Sequence, residues 1–377
     1  MTEEETIFKE LSDSCRARIV PPDEKIREAC RKRWDSLCKP IGGMGIFEEL
    51  IAQIGAVQGS LHPRLGAAAL VIMGADNGVT AEGVSQCGSE VTARVLDNMG
   101  AGRSSVCAMS AYQNLHARET SAERERTDVI PVNIGMNTDA QHPAVWNRPV
   151  RYGSGNIAKG PAMSGSEAAR AVLEGIRIAS RLRESGYDLL AAGEMGIGNT
   201  TSSAAVVSAL FHCDPSLTAG YGAGLSEEGY RRKVEVIREA LRVNGLSDAE
   251  RDCDPVGILS RVGGLDIAGM CGLFLGAAIC RMPALIDGFI SAAAACLAYR
   301  IAPECRSYMI ATHCSAEPGC SMLLEDLGLQ GPLRADLHLG EGTGAAMFLP
   351  MLRQALYVYE NLPLFEEGHV KAYRRFR

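Results

Sequence analysis

Leu189-Leu190-Ala191-Ala192-Gly193-Glu194-Met195-Gly196-Ile197-Gly198-Asn199-Thr200-Thr201 is the stretch that decides how this chain folds. A short apolar run closes in a turn with three glycines and one carboxylate, and residues 202–210 then read as a helix. The same order of run, turn and helix recurs. Residues 67–73 end in Gly74-Ala75-Asp76-Asn77-Gly78, and 129–134 end in Gly135-Met136-Asn137. Residues 284–286 end in Asp287-Gly288, and 308–311 end in Thr312-His313-Cys314-Ser315. The alternating stretch 333–338 ends in Leu339-Gly340-Glu341-Gly342-Thr343-Gly344. Six such runs separated by helices predict an α/β fold with a doubly wound, mostly parallel sheet. Ligands of such sheets lie beyond the carboxyl ends of the strands. Every turn named here follows its strand, so the pattern predicts that they converge on one active site.

The flanks read differently. Pro21-Pro22-Asp23 is a helix-start signal, and Ile26, Cys30, Trp34 and Leu37 share one helical face. Lys39-Pro40-Ile41-Gly42-Gly43-Met44-Gly45 interrupts the pattern, which resumes over 47–57. A helical tail follows Pro350 and ends in a basic stretch, 371–377. The expected organisation is a small helical domain from residues 1–60 and 350–377 beside a large α/β domain, 61–349. The mixed-charge run 118–126 reads as a solvated helix end or loop.

Composition narrows the function classes. The 377 residues are 46% hydrophobic and 22% charged, globular values with room for a large core. A net charge of -7, a pI near 5.6 and 5% aromatic residues argue against nucleic acid as a partner. The acidic N-terminus has no apolar core of a secretory signal, which predicts a cytoplasmic protein. The longest apolar run, 267–280, is too short to span a bilayer and reads as a buried helix. Thirteen cysteines, none paired as C-x-x-C, read as thiols packed in a reducing compartment.

Glycine lets backbone approach a ligand closely, and a carboxylate among glycines at a strand's mouth is placed to move a proton. That reading singles out Glu341. Residues 193–201 have the contents of an anion cradle, with N–H groups near Gly196 and Gly198 and the hydroxyls of Thr200 and Thr201. The same residues also suit a plain strand-to-helix turn capped by Asn199 or Thr200, with Glu194 organising backbone. Val262-Gly263-Gly264-Leu265-Asp266 is equally glycine-dense. No glycine precedes a lysine and no G-x-G-x-x-G occurs, so the usual phosphate and dinucleotide fingerprints are absent. His313 has no second histidine at ligand spacing, so no metal is expected, and Ser315 suits a hydroxyl donor to phosphate. Taken alone, Lys233 reads as a solvated helix lysine.

In this order the segments closely resemble the nicotinate-nucleotide–dimethylbenzimidazole phosphoribosyltransferase family. The resemblance runs through 39–48, 75–79, Gly155-Asn156-Ile157, Gly160-Pro161-Ala162-Met163 and 193–201. It continues through Lys233, 262–266, 285–289, Ser315-Ala316-Glu317 and 339–344. It implies transfer of the 5-phosphoribosyl group of nicotinate mononucleotide to a lower-ligand base, 5,6-dimethylbenzimidazole or a relative. It implies a homodimer with no metal and no cofactor, whose partners are small molecules. Glu341 would be the proton acceptor, with Glu194 and Lys233 as further active-site residues. The substrate-binding set would be Gly196, Gly198, Asn199, Thr200, Thr201, Asp266, Asp287, Ser315, Gly340, Gly342, Thr343 and Gly344, with Asp76, Asn77 and Thr80. Three departures bear on the acceptor. Lys39-Pro40-Ile41-Gly42-Gly43-Met44-Gly45 stands for Lys-Pro-Pro-Gly-Ser-Leu-Gly, Asn77 stands where histidine is usual, and Gly83-Val84-Ser85-Gln86-Cys87-Gly88-Ser89-Glu90, through Cys87-Gly88-Ser89, lacks the family's frequent proline and its polar neighbour. A phenolic or purine acceptor, or a non-catalytic partner subunit, are the alternative readings.

Overall fold

Alternate residues of the central strands bury into two different cores. Ala69, Val71 and Met73 belong to one, and Ala68, Leu70 and Ile72 to the other. A strand covered on both faces needs no polar face, and that is why these runs are continuously apolar. In this computed structural model, which describes residues 3–119, 125–247 and 254–374, six strands form one parallel sheet. They are β1 (Ala68–Ala75), β2 (Thr127–Gly135), β3 (Trp146–Asn147), β4 (Leu189–Met195), β5 (Ala284–Ile286) and β6 (Met309–Ala311). Their order is β3-β2-β1-β4-β5-β6. Ala68 pairs with Thr127 on one side and Leu189 on the other, so the winding reverses at β1. A crevice opens where strand order reverses, beyond the carboxyl ends of β1 and β4.

Helices Gly165–Glu184, Leu265–Ile279 and Phe289–Ile301 cover one face. Leu265–Ile279 is buried throughout except at its last residue, as the apolar run 267–280 predicts. Helices Glu24–Ser36, Ile46–Gln58, Ser105–Glu119 and Thr343–Asn361 cover the other. Asp23 caps the first of these by accepting from the Lys25 and Ile26 N–H groups. Trp34 meets Tyr359 at 5.0 Å between rings, joining the early helices to the last one. Buried Arg353 bonds the Leu65, Gly66 and Arg126 carbonyls and the Thr127 hydroxyl, seating that last helix on the starts of β1 and β2.

The structure corrects the sixth strand and adds a helix. Residues 333–338 are not a strand and make one isolated bridge, Leu333 with His313. Pro332 brings no N–H, and Asp336 at φ 50° breaks the extended geometry. The sixth strand is instead the short edge pair Trp146–Asn147. An unanticipated helix, Glu3–Arg18, packs Leu11 and Cys15 onto the face opposite Trp34. The twelve cysteines among the described residues are free thiols, while Cys253, most of the run 118–126 and the end of the basic tail lie outside those residues.

Candidate active site

A cavity of about 330 Å³ opens beyond β1, β4, β5 and β6, within the usual size for a small-molecule site. It is lined by segments that follow these four strands and by 337–341 with Thr343. The turn after β2 does not reach it. Asn137 there spends its N–H on Asp76 at 2.8 Å.

The floor is acidic. Glu194 is the last residue but one of β4, and Asn199, at the start of helix Asn199–Phe211, donates to it from Nδ2. The same amide donates to Asp266 at 2.9 Å, so one asparagine bridges two buried carboxyl groups. Burial, with the charges of Asp266 and Asp287 nearby, raises the Glu194 carboxyl to about 8. Burial also raises Asp266 and Asp287, each to about 6. Asp287 accepts from the Gly342 N–H at 3.1 Å and the Ala345 N–H at 2.9 Å. It thus supplies acceptors to the otherwise unpaired N–H groups opening helix Thr343–Asn361.

Glu341 is not at the mouth of a strand, as expected, but in the turn that opens this helix. Its backbone is left-handed, φ 60°, a conformation that is costly for a side chain with Cβ and concentrated at functional sites. Its neighbours are packed to hold it there. A Cβ on Gly193 would stand 2.7 Å from the Gly342 nitrogen, and one on Gly340 would collide with Glu194 Oε1. The Glu341 N–H donates to the Glu194 carboxylate. Glu341 Oε2 is buried with no hydrogen-bond partner, and burial raises this carboxyl above the ordinary range.

Lys233 is not solvated. It is fully buried on helix Glu227–Val243, donating to Thr200 Oγ1 and to the Gly220 carbonyl, both at 3.0 Å. Burial lowers its ammonium to about 8. Thr200 lines the cavity and Lys233 stands behind it.

Of the residues expected in the site, Glu341, Glu194, Gly196, Gly198, Asn199, Thr200, Asp287, Ser315, Gly340 and Thr343 line the cavity. Lys233, Thr201, Asp266, Gly342, Gly344, Asp76, Asn77 and Thr80 do not. Asn77 is buried, accepting from the Ser202 hydroxyl at 2.8 Å. Thr80 bonds the Asn77 carbonyl at 3.0 Å and sets its methyl against Gly198. The cavity is also lined by residues outside the expected site set: Ser291, His313, Glu317, Gln86 and an apolar wall of Val84, Val91, Val95, Met195 and Ile197. The Ser315-Ala316-Glu317 segment is a signal for Glu317 and the glycine-rich stretch 193–201 one for Met195 and Ile197, whereas Val91 and Val95 carry none. Among the described residues, no three His, Cys, Asp or Glu side chains are grouped to hold a metal ion. No helix of these residues is long and apolar enough to cross a membrane.

A switch-point crevice with an acidic floor and a hydroxyl-rich wall is the setting of a glycosyl-transfer enzyme, and a phosphoribosyltransferase family model matches residues 19–370. The nicotinate-nucleotide–dimethylbenzimidazole phosphoribosyltransferase of Ruminiclostridium cellulolyticum is 41% identical over 97% of this chain and 99% of its own length. That of Acetivibrio thermocellus is 41% identical over 91% of this chain and 93% of its own length. The crystal structure of CobT from Thermus thermophilus superposes with a TM-score of 0.83 at 36% identity, covering 92% of this chain and 99% of that one. The chain belongs to the nicotinate-nucleotide–dimethylbenzimidazole phosphoribosyltransferase family.

Proposed function

We propose that this chain transfers the 5-phosphoribosyl group of nicotinate mononucleotide to a lower-ligand base, 5,6-dimethylbenzimidazole or a related aromatic base. The products are α-ribazole 5′-phosphate and nicotinate, made in the cytoplasm for cobamide assembly. The observation that carries the reading is the buried, unpartnered Glu341 Oε2 at the rim of an acidic floor. The pyridinium of the donor is a built-in leaving group, since departure from C1′ returns a neutral ring. A benzimidazole nitrogen attacks from the opposite face, and its other nitrogen must shed a proton. Glu341 takes that proton, and burial makes its carboxylate a better base at neutral pH.

Glu194, Asp266 and Asp287 lie beneath the turn and favour positive charge above them. Positive charge is what the ribosyl carbon develops as nicotinate leaves, and fixed groups aimed at such charge are a strong source of rate. A pyridinium or a ribosyl cation held over this floor favours the ionised form of these carboxyl groups. The hydroxyls of Thr200, Ser315 and Ser291 suit the phosphoribosyl group, with the Lys233 ammonium behind Thr200. No pyrophosphate leaves, so this chemistry calls on no divalent ion to neutralise one.

The division into a small helical unit (1–60 with 350–377) and a large α/β unit (61–349) belongs to this proposal. So does a homodimer. Exposed Tyr112, Leu115, Met347 and Met351 support it, because Gln113 bonds the Ala346 carbonyl at 2.8 Å and brings their helices together. The decisive experiment is Glu341→Gln in a steady-state assay with nicotinate mononucleotide and dimethylbenzimidazole. Turnover should fall by roughly 10²-fold or more with nucleotide binding retained; near-normal turnover at saturation removes Glu341 as the base.

A further inference from the structure

Loop 220–225 forms one wall of the cavity, through Tyr221, Gly222, Ala223 and Leu225. It runs between the short turn Pro215–Leu217 and helix Glu227–Val243, outside any sheet. A buried lysine and a half-buried glutamate, of opposite charge, grip it. Lys233 Nζ donates to the Gly220 carbonyl at 3.0 Å, and Glu317 Oε1 accepts the Gly222 N–H at 3.0 Å. Glu317 Oε2 is buried without a hydrogen-bond partner and lies against Gly220, where a Cβ would collide with it. A side chain at 220 would displace that carboxylate from the Gly222 N–H. The grip extends to two further walls. Lys233 bonds Thr200, and the Glu317 N–H reaches Ser315 Oγ at 3.4 Å. Across the mouth, Gln86 Nε2 donates to the Gly224 carbonyl, so the loop also closes against the segment after β1.

We propose that Glu317 is a positioning residue for phosphoribosyl transfer. Paired electrostatically with Lys233, it clasps loop 220–225 and sets the wall on which the phosphoribosyl group rests. The inference rests on the reading of the site given above. Its electrostatic half follows from what surrounds Lys233. Helix Asn199–Phe211 and the turn Pro215–Leu217, both packed on the lysine's helix, carry no acidic or basic side chain. Glu317 is therefore the charge that faces Lys233 and holds its proton against burial.

Two variants separate the halves. Glu317→Ala removes both the acceptor and the charge, and should raise KM for nicotinate mononucleotide roughly tenfold with a much smaller change in kcat. Glu317→Gln keeps an acceptor for Gly222, and should keep KM near normal while the alkaline limb of kcat/KM moves to lower pH. Hydrogen exchange within 220–225 should quicken in the alanine variant. A wild-type KM in the alanine variant, or an unmoved alkaline limb in the glutamine variant, overturns the proposal. If the alanine variant does not fold, the limb and the exchange rates of the glutamine protein decide alone. Wild-type behaviour of both variants beside an inactive Glu341→Gln sinks only this inference, whereas an active Glu341→Gln sinks the reading beneath it.

Discussion

Glu194→Gln should change how stability depends on pH more than it changes stability itself. In the ligand-free protein the Glu194 carboxyl is raised from 4.5 to about 8, first by burial and then by the charges of Asp266 and Asp287. The folded chain keeps a proton that the unfolded chain has released. Stability from this group is therefore fully present below pH 4.5 and is lost as pH rises through about 8. A displacement of that size corresponds to about 4–5 kcal/mol at most, at about 1.4 kcal/mol per pH unit. The opening of the cavity to water screens part of it, so about 2–4 kcal/mol is the working figure. A chain of 377 residues unfolds with an entropy near 0.8 kcal/mol/K, so this amounts to about 3–5 °C in Tm. Glutamine cannot ionise and still offers an oxygen to the Asn199 amide, at the cost of one mismatched hydrogen bond with the Glu341 N–H. The assay is calorimetry or dye-monitored melting of both proteins, ligand-free, from pH 5 to 8.5. Wild type should lose about 3–5 °C more than the variant over that interval, and the variant should gain relative stability at the alkaline end. Melting curves that run parallel across the range would refute the claim that the floor carries a proton at neutral pH.

Gly193→Ala places a Cβ 2.7 Å from the Gly342 nitrogen and 2.9 Å from its α-carbon, contacts that no side-chain rotation relieves. We expect the Glu341 turn to shift and kcat to drop at least tenfold, since small misplacements of reacting groups are costly; wild-type kcat would show that the close approach is slack. The product should be the α-anomer, because attack opposite the departing ring inverts the β-linkage, and a β-riboside in the NMR spectrum would mean double displacement. In competition, dimethylbenzimidazole and p-cresol should both outrun adenine, because Val84, Val91, Val95, Met195 and Ile197 offer no side-chain partner for a purine's polar edge. Preferential use of adenine would place the acceptor elsewhere in the cavity.

What could be read from sequence divides by range of interaction. Buried parallel strands announce themselves as short apolar runs because both faces meet helices, and β1, β2, β4, β5 and β6 were legible on that ground. Alternation misled at 333–338, where Arg334, Asp336 and His338 mimic the open face of a strand that Pro332 and a left-handed Asp336 prevent. Helix Glu3–Arg18 is marked in sequence only by Leu11, Cys15 and Ile19, which recur every fourth residue behind an acidic first turn. Within the site, glycine density found Glu194 and Glu341 because close backbone packing leaves a local mark. Partnerships between distant side chains leave none. Tyr230-Arg231-Arg232-Lys233 reads as a wet helix face, yet its lysine is fully buried because Gly220 and Thr200 come from elsewhere to meet it. Asn77, read as a pocket residue that alters acceptor choice, instead bonds Ser202 behind the cavity. Any effect of that substitution on the acceptor passes through the neighbours of Asn77, Ser202 and Gly198, whereas Gln86 lines the cavity directly. Acceptor preference should therefore respond to changes at Gln86 and along the apolar wall before it responds to changes at Asn77.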